Sequence, residues 1–192
     1  MPETIKLEKK TDYFFPTPLR CIFSGASGSG KSFVIGRILQ SQKRLFGNEF
    51  KEVRYFYPSY LDESPVDYHE TMSTPIQYEK GMPSKDQIFE LEENSLLIID
   101  DQYDRVVKDD LMAQFFKVIS GKRNLSIIIV TQNYFCPGKH GRDIRNSCNY
   151  VGLFRNCGDR TLNLRISSCF GMKKSCQAAE KEFSTTTHPF FS

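Results

Sequence analysis

The sequence predicts an α/β fold with a mainly parallel sheet flanked by helices. Short strand-like runs alternate with helix-length stretches along most of the chain. Two runs, Leu96-Leu97-Ile98-Ile99 and Ile127-Ile128-Ile129-Val130, are continuously apolar, as strands covered on both faces are. The segment Gly25-Ala26-Ser27-Gly28-Ser29-Gly30-Lys31-Ser32 joins a strand-like run to an amphipathic one.

Residues 1–18 hold three prolines and no sustained period, so they are expected to form an N-terminal arm leading into one domain over 19–192. Arg20-Cys21-Ile22-Phe23-Ser24 is the first strand. After the glycine segment, Phe33, Val34, Ile35, Ile38, Leu39 and Leu45 fall near helical spacing. Val53-Arg54-Tyr55-Phe56-Tyr57 is a second strand, ended by Pro58. Residues 59–82 are expected to form an irregular insertion, with a short strand at Ile76-Gln77-Tyr78. Ser84 then offers an N-cap for a short helix through Phe89 and Leu91.

Leu96–Ile99 and Ser126–Val130 are the buried strands, and Leu111, Phe115, Val118 and Ile119 mark the crossover helix between them. A last strand at Tyr150-Val151-Gly152-Leu153-Phe154 leads to a helix from Asp159 to about Cys169.

Composition excludes several classes. The chain has 192 residues, 39% of them hydrophobic and 26% charged, which is ordinary for a globular domain with its own core. Its apolar runs are far shorter than the roughly 20 residues of a membrane-spanning helix. The N-terminus, Met1-Pro2-Glu3-Thr4-Ile5-Lys6, does not resemble a secretion signal, so an intracellular or intravirion site is expected. The six cysteines contain no Cys-x-x-Cys and the three histidines lie far apart, so free thiols are expected rather than a disulfide framework or a structural metal. The net charge is +3, but between Lys139 and Glu180 the only acids are Asp143 and Asp159. Such a basic stripe suits a phosphate backbone or a solvated face.

Three segments carry chemistry. In Gly25–Ser32 the glycines let backbone amides approach phosphate oxygens, and the following helix adds its positive end. Lys31 is placed for the β- and γ-phosphates, and the Ser32 hydroxyl for Mg²⁺. The segment is a complete phosphate-binding loop, which implies a nucleoside triphosphate as ligand. Leu96-Leu97-Ile98-Ile99-Asp100-Asp101 is a Walker B pattern: Asp100 is expected to hold Mg²⁺ and Asp101 to polarise the attacking water. The strand Ser126–Val130 ends in Thr131-Gln132-Asn133, where Gln132 is the candidate to orient water and sense the γ-phosphate; Thr131 and Asn133 could serve as turn formers. Arg123, Arg145 and Arg160 are candidates for an arginine that reaches the transition state from a neighbouring subunit.

The order of these motifs resembles the FtsK/HerA superfamily of DNA-pumping ATPases. Within it the chain is most similar to the poxvirus-type genome packaging ATPases, also found in other large double-stranded DNA viruses, virophages and Maverick/Polinton elements. The resemblance rests on the phosphate loop, the Asp100-Asp101 strand tip, and Gly121-Lys122-Arg123-Asn124 leading to Thr131-Gln132-Asn133 with Tyr134-Phe135. It continues through Ile144-Arg145-Asn146 before the aromatic strand, then Arg155 and Asp159-Arg160. It implies a RecA-like P-loop NTPase core and ATP hydrolysis between subunits of a ring, a hexamer. It further implies translocation of double-stranded DNA into a capsid at a virus assembly site or in the virion, with capsid proteins as partners and no membrane. The family often adds another apolar strand after the final helix, whereas the sequence here ends His188-Pro189-Phe190-Phe191-Ser192; either the chain is short there or its sheet closes differently.

Other readings have distinct signatures. A GTPase would carry Asn-Lys-x-Asp, which is not present. A nucleotide kinase needs an arginine-bearing lid, and Ser59–Met82 holds no arginine. A non-motor ATP-binding assembly adaptor shares the loop but needs no DNA response.

Overall fold

The computed structural model describes residues 15–64, 66–68, 74–154 and 165–166. Its elements in chain order are β1 (Arg20–Ser24), α1 (Lys31–Gln40), α2 (Gln42–Phe46), β2 (Val53–Tyr57), β3 (Ile76–Lys80), α3 (Lys85–Glu90) and β4 (Leu96–Asp100). Then follow α4 (Tyr103–Val106), α5 (Asp110–Gln114), α6 (Ser120–Arg123), β5 (Ser126–Thr131), α7 (Gly141–Ser147) and β6 (Tyr150–Leu153). A π-helical turn, Phe115–Ile119, joins α5 to α6, so the crossover runs without interruption from Asp110 to Arg123.

The six strands form one sheet in the order β3-β2-β4-β5-β1-β6. Every pairing among them is parallel. Parallel strands need crossover connections, which put helices on both faces. Side-chain alternation divides the core accordingly. Ile22, Leu97, Ile99, Ile127 and Ile129 meet Ile88, Met112, Phe115, Phe116 and Ile144 on one face. Cys21, Phe23, Ile98, Ile128 and Val130 meet Ile35, Leu39 and Phe46 on the other. Both faces of β4 and β5 are thus buried, which is why their sequences do not alternate.

Local chemistry sets the boundaries. Ser84 and Gln87 close a reciprocal capping box on α3: Gln87 N–H donates to Ser84 Oγ at 3.2 Å, and Ser84 N–H to Gln87 Oε1 at 2.8 Å. The first helix is not continuous to Leu45; Ser41 interrupts it, and α2 ends at Gly47 in the left-handed region (φ 78°). Between β2 and β3 the described residues are irregular, except that the short strand expected at 76–78 runs to Lys80. Two short helices, α4 and α7, have no counterpart among the expected elements. The helix expected from Asp159 lies outside the described residues apart from residues 165–166, which are helical. Cys21, Cys136 and Cys148 are free thiols, and the other three cysteines lie outside the described residues.

Candidate functional site

Strand order assembles the site. β5 lies between β1 and β4, so the tips of all three strands emerge side by side at the carboxyl edge of the sheet. From β1 the chain enters the phosphate loop, with Gly25 N–H bonded to Thr131 O at 3.2 Å. A Cβ on Gly25 would stand 2.5 Å from Phe154 Cβ, so the tight exit beside β6 admits only glycine. Gly28 (φ 70°) and Gly30 (φ 92°) take left-handed backbone that turns the loop into the N-terminus of α1. That helix start has no side-chain cap, leaving its first amides for an anion.

Lys31 Nζ donates to Gly25 O at 2.8 Å and Ala26 O at 2.7 Å, which braces the loop from within and leaves one of its three protons. Burial pulls the Lys31 ammonium below its usual pKa, while Asp100 and Asp101 oppose that shift.

Asp100 is the last residue of β4 and is partly buried. The hydroxyl of Tyr55, on adjacent β2, donates to its Oδ2 at 2.5 Å. Burial raises the Asp100 pKa, against the lowering influence of the Tyr55 hydrogen bond and of Lys31. Asp101 is exposed and takes a left-handed conformation (φ 49°), its N–H bonded to Val130 O at 3.0 Å. Its Oδ1 accepts a long 3.4 Å bond from Gln132 Nε2. Thr131 and Asn133 spend their side chains on the turn: Asn133 N–H donates to Thr131 Oγ1 at 3.0 Å, and Phe135 N–H to Asn133 Oδ1 at 3.1 Å.

A cleft of about 380 Å³ opens over these groups, lined by Ser27, Gly28, Gly30, Lys31 and Ser32, by Asp100, Asp101, Val130 and Gln132, and by Phe33, Pro58, Tyr60 and Leu61. Its size is that of a small-molecule site. The Ser32 hydroxyl and the Asp100 carboxylate are hard oxygen donors, and Mg²⁺ takes one or two such groups together with phosphates. The residues therefore fit the ion.

The arginines sit elsewhere. Arg123, at the opposite edge of the sheet where β5 begins, donates to Ile88 O at 3.0 Å and Leu91 O at 2.6 Å and stacks on Phe89. Arg145 lies on α7 with its guanidinium 5.8 Å from the Tyr134 ring centre and 5.5 Å from that of Phe135. Arg160 is outside the described residues. Of the basic stripe, Lys139 pairs with Asp110 at 2.9 Å and Arg165 stacks on Phe135 at 4.8 Å, so its described part is not an open row of cations.

Two further residues support the site without a motif to announce them. Tyr55 holds Asp100, and the Tyr68 hydroxyl donates to Ser32 O at 2.9 Å while its ring lies against Gly36, where a Cβ would come within 3.2 Å. The unusual run of aromatics in Tyr55-Phe56-Tyr57 was the available signal for the first; Tyr68 lies in the segment without period and had none.

No protein-family model matches the sequence, and no curated protein does. Solved structures do. The genome packaging NTPase B204 from Sulfolobus turreted icosahedral virus 2, in complex with ATP-gammaS, superposes with a TM-score of 0.57 at 12% identity over 87% of this chain and 86% of that one. The DNA-packaging ATPase B204 from Sulfolobus turreted icosahedral virus gives 0.55 at 13%, over 84% and 86%. EssC (ATPases 2 and 3) from Geobacillus thermodenitrificans gives 0.51 at 11%, over 78% of this chain and 34% of that one. At these identities the likeness is one of fold: the chain has the RecA-like P-loop ATPase architecture, as the resemblance implied.

Proposed function

We propose that the chain is an ATP-hydrolysing DNA translocase of the FtsK/HerA superfamily that packages double-stranded viral DNA into a preformed capsid, working as a homo-oligomeric ring, a hexamer, at the virus assembly site. One observation carries the hydrolytic part: the phosphate loop, the acid pair and Gln132 leave three adjacent parallel strands into one cleft. The packaging part is supported by the motif order and by the shared fold with viral packaging NTPases.

In this reading the loop amides and Lys31 hold the β- and γ-phosphates, with Ser32 and Asp100 as the residues that would hold Mg²⁺. Bound there, the ion would neutralise phosphate charge. Gln132 and Asp101 place a water opposite the leaving oxygen. The water oxygen bonds to the γ-phosphorus as the bond to the β–γ bridging oxygen breaks, and Asp101 takes the water proton, giving ADP and phosphate. The exposed carboxylate of Asp101 suits that role better than the sheltered one of Asp100.

The test is ATP turnover by the full chain with and without duplex DNA. A pump turns over faster with duplex, a nucleotide kinase with its acceptor, an assembly adaptor with neither. Lys31→Ala should lower turnover at least 100-fold while the far-ultraviolet circular dichroism stays that of the parent. Normal turnover in that variant would refute the site.

A further inference from the structure

Two large side chains stand in the open where burial would normally take them. Phe33 is 73% exposed and Tyr60 is 76% exposed, and both line the cleft of the phosphate loop. Neither belongs to a loose part of the molecule. Phe33 lies in the first turn of α1, whose inward positions Ile35 and Leu39 are 0% and 2% exposed. Tyr60 lies in a turn just past β2 that is closed by a 3.1 Å bond from Leu61 N–H to Pro58 O. Scattered single exposed aromatics are ordinary on protein surfaces. Two on the wall of one cleft are not, because most of its other lining groups are those that phosphate and a metal ion use.

The lining thus divides in chemistry. Ser27, Gly28, Gly30, Lys31, Ser32, Asp100, Asp101 and Gln132 supply charge and hydrogen bonds, whereas Phe33, Pro58, Tyr60 and Leu61 supply an apolar wall. A triphosphate uses only the first set.

We propose that Phe33 and Tyr60 are the seat of the nucleotide's base, receiving a purine ring by stacking. The proposal rests on the reading of the cleft as a nucleoside triphosphate site and assigns its second half. Every base has a π face, so stacking alone is tolerant of identity. The apolar wall offers only the Tyr60 hydroxyl as a side-chain hydrogen-bonding group, so it separates purines from pyrimidines by ring area and adenine from guanine only weakly. Strong discrimination would need a buried polar group that the wrong base leaves unpaired.

The chain has no tryptophan, which makes the test direct. Phe33→Trp would carry the only indole, and a base stacked on it would quench its emission. Binding of ATP, GTP, CTP and inorganic tripolyphosphate, each with Mg²⁺, is measured for the full chain and for Phe33→Ala and Tyr60→Ala. Each alanine variant should bind ATP about tenfold more weakly and tripolyphosphate as tightly as the parent does. ATP and GTP should agree within a few-fold, and ATP but not tripolyphosphate should quench the Phe33→Trp signal.

Four results would overturn the proposal. If ATP and tripolyphosphate bind the parent equally and both alanine variants leave ATP binding unchanged, the base sits elsewhere and the phosphate site survives. If ATP and GTP differ by more than about 100-fold, recognition is by hydrogen bonding and not by stacking. If the variants lower the oligomer mass but not ATP affinity, the two rings are a contact between copies of the chain. If the parent binds neither compound, the nucleotide reading itself fails.

Discussion

At Asp100 a carboxylate is sheltered behind the tip of β4, and the Tyr55 hydroxyl, 2.5 Å away, supplies the hydrogen bond that water would otherwise make. Tyr55 is fully buried in the core, with its ring packed against Tyr68 and Tyr78 and its hydroxyl turned to Asp100. A hydrogen bond to a charged group contributes about 1.5–3 kcal/mol, and more is at stake when its loss leaves the acceptor sheltered from water. Tyr55→Phe keeps the ring and removes only the donor. Chemical denaturation should show a loss of stability of about 1.5–3 kcal/mol. Because the carboxylate also loses its fixed orientation, half-maximal turnover should need several-fold more Mg²⁺. An unchanged Mg²⁺ titration with lowered stability would make Tyr55 a packing residue only.

Between neighbouring elements, the seam of β1 with β6 is one place where only glycine fits without a shift. Gly152 on β6 pairs with Phe23 on β1, and a Cβ there would lie 2.4 Å from Phe23 Cδ1 and 2.6 Å from Cε1. Phe23 is held in turn by Phe154, with ring centres 5.4 Å apart, so it cannot retreat freely. Gly152→Ala should cost about 1–3 kcal/mol, read as a lowered denaturation midpoint. Its effect should reach the phosphate loop, since Gly25 touches Phe154 as well. The same comparison shows what the sequence could reveal. β4 and β5 were legible because burial on both faces writes a continuous apolar run, and the capping box of α3 was legible at Ser84. α4 and α7, of four and seven residues, are too short for a helical period to declare itself, and they are held by tertiary contacts instead: Val106 and Ile144 are both fully buried. The motifs gave Lys31, Ser32, Asp100 and Asp101 their place, because strand tips are fixed by register. Tyr68 was not legible, and Tyr55 only as one of a run of aromatics, since hydrogen bonds across neighbouring strands and from an irregular segment leave no spacing in the chain. Arg123 braces two carbonyls at the α3 end within its own chain, a contact that nothing in the sequence announces.

The charge inside the cleft bears on how the whole molecule works. Among the described lining residues Lys31 is the single cation, and two carboxylates face it. Phosphoryl transfer loads negative charge onto the γ-phosphate oxygens, and an arginine there is worth 10³–10⁵ in rate in enzymes that use one. Arg123 lies at the far edge of the sheet and Arg145 against two aromatic rings, so neither reaches the cleft of its own chain in this conformation. No arginine of the described residues lines the cleft, and we infer, on the function proposed above, that a second copy of the chain supplies one, so that hydrolysis becomes a property of the assembly. ATP turnover per chain should rise with protein concentration, in step with the appearance of oligomer in a mass measurement, and level off once the chains are assembled. Adding an excess of Lys31→Ala chains to a fixed, dilute amount of parent should raise turnover per parent chain, because a variant that cannot turn over can still lend its arginine to a neighbour. A turnover per chain that stays flat across the monomer-to-oligomer transition would show that one chain completes its own site.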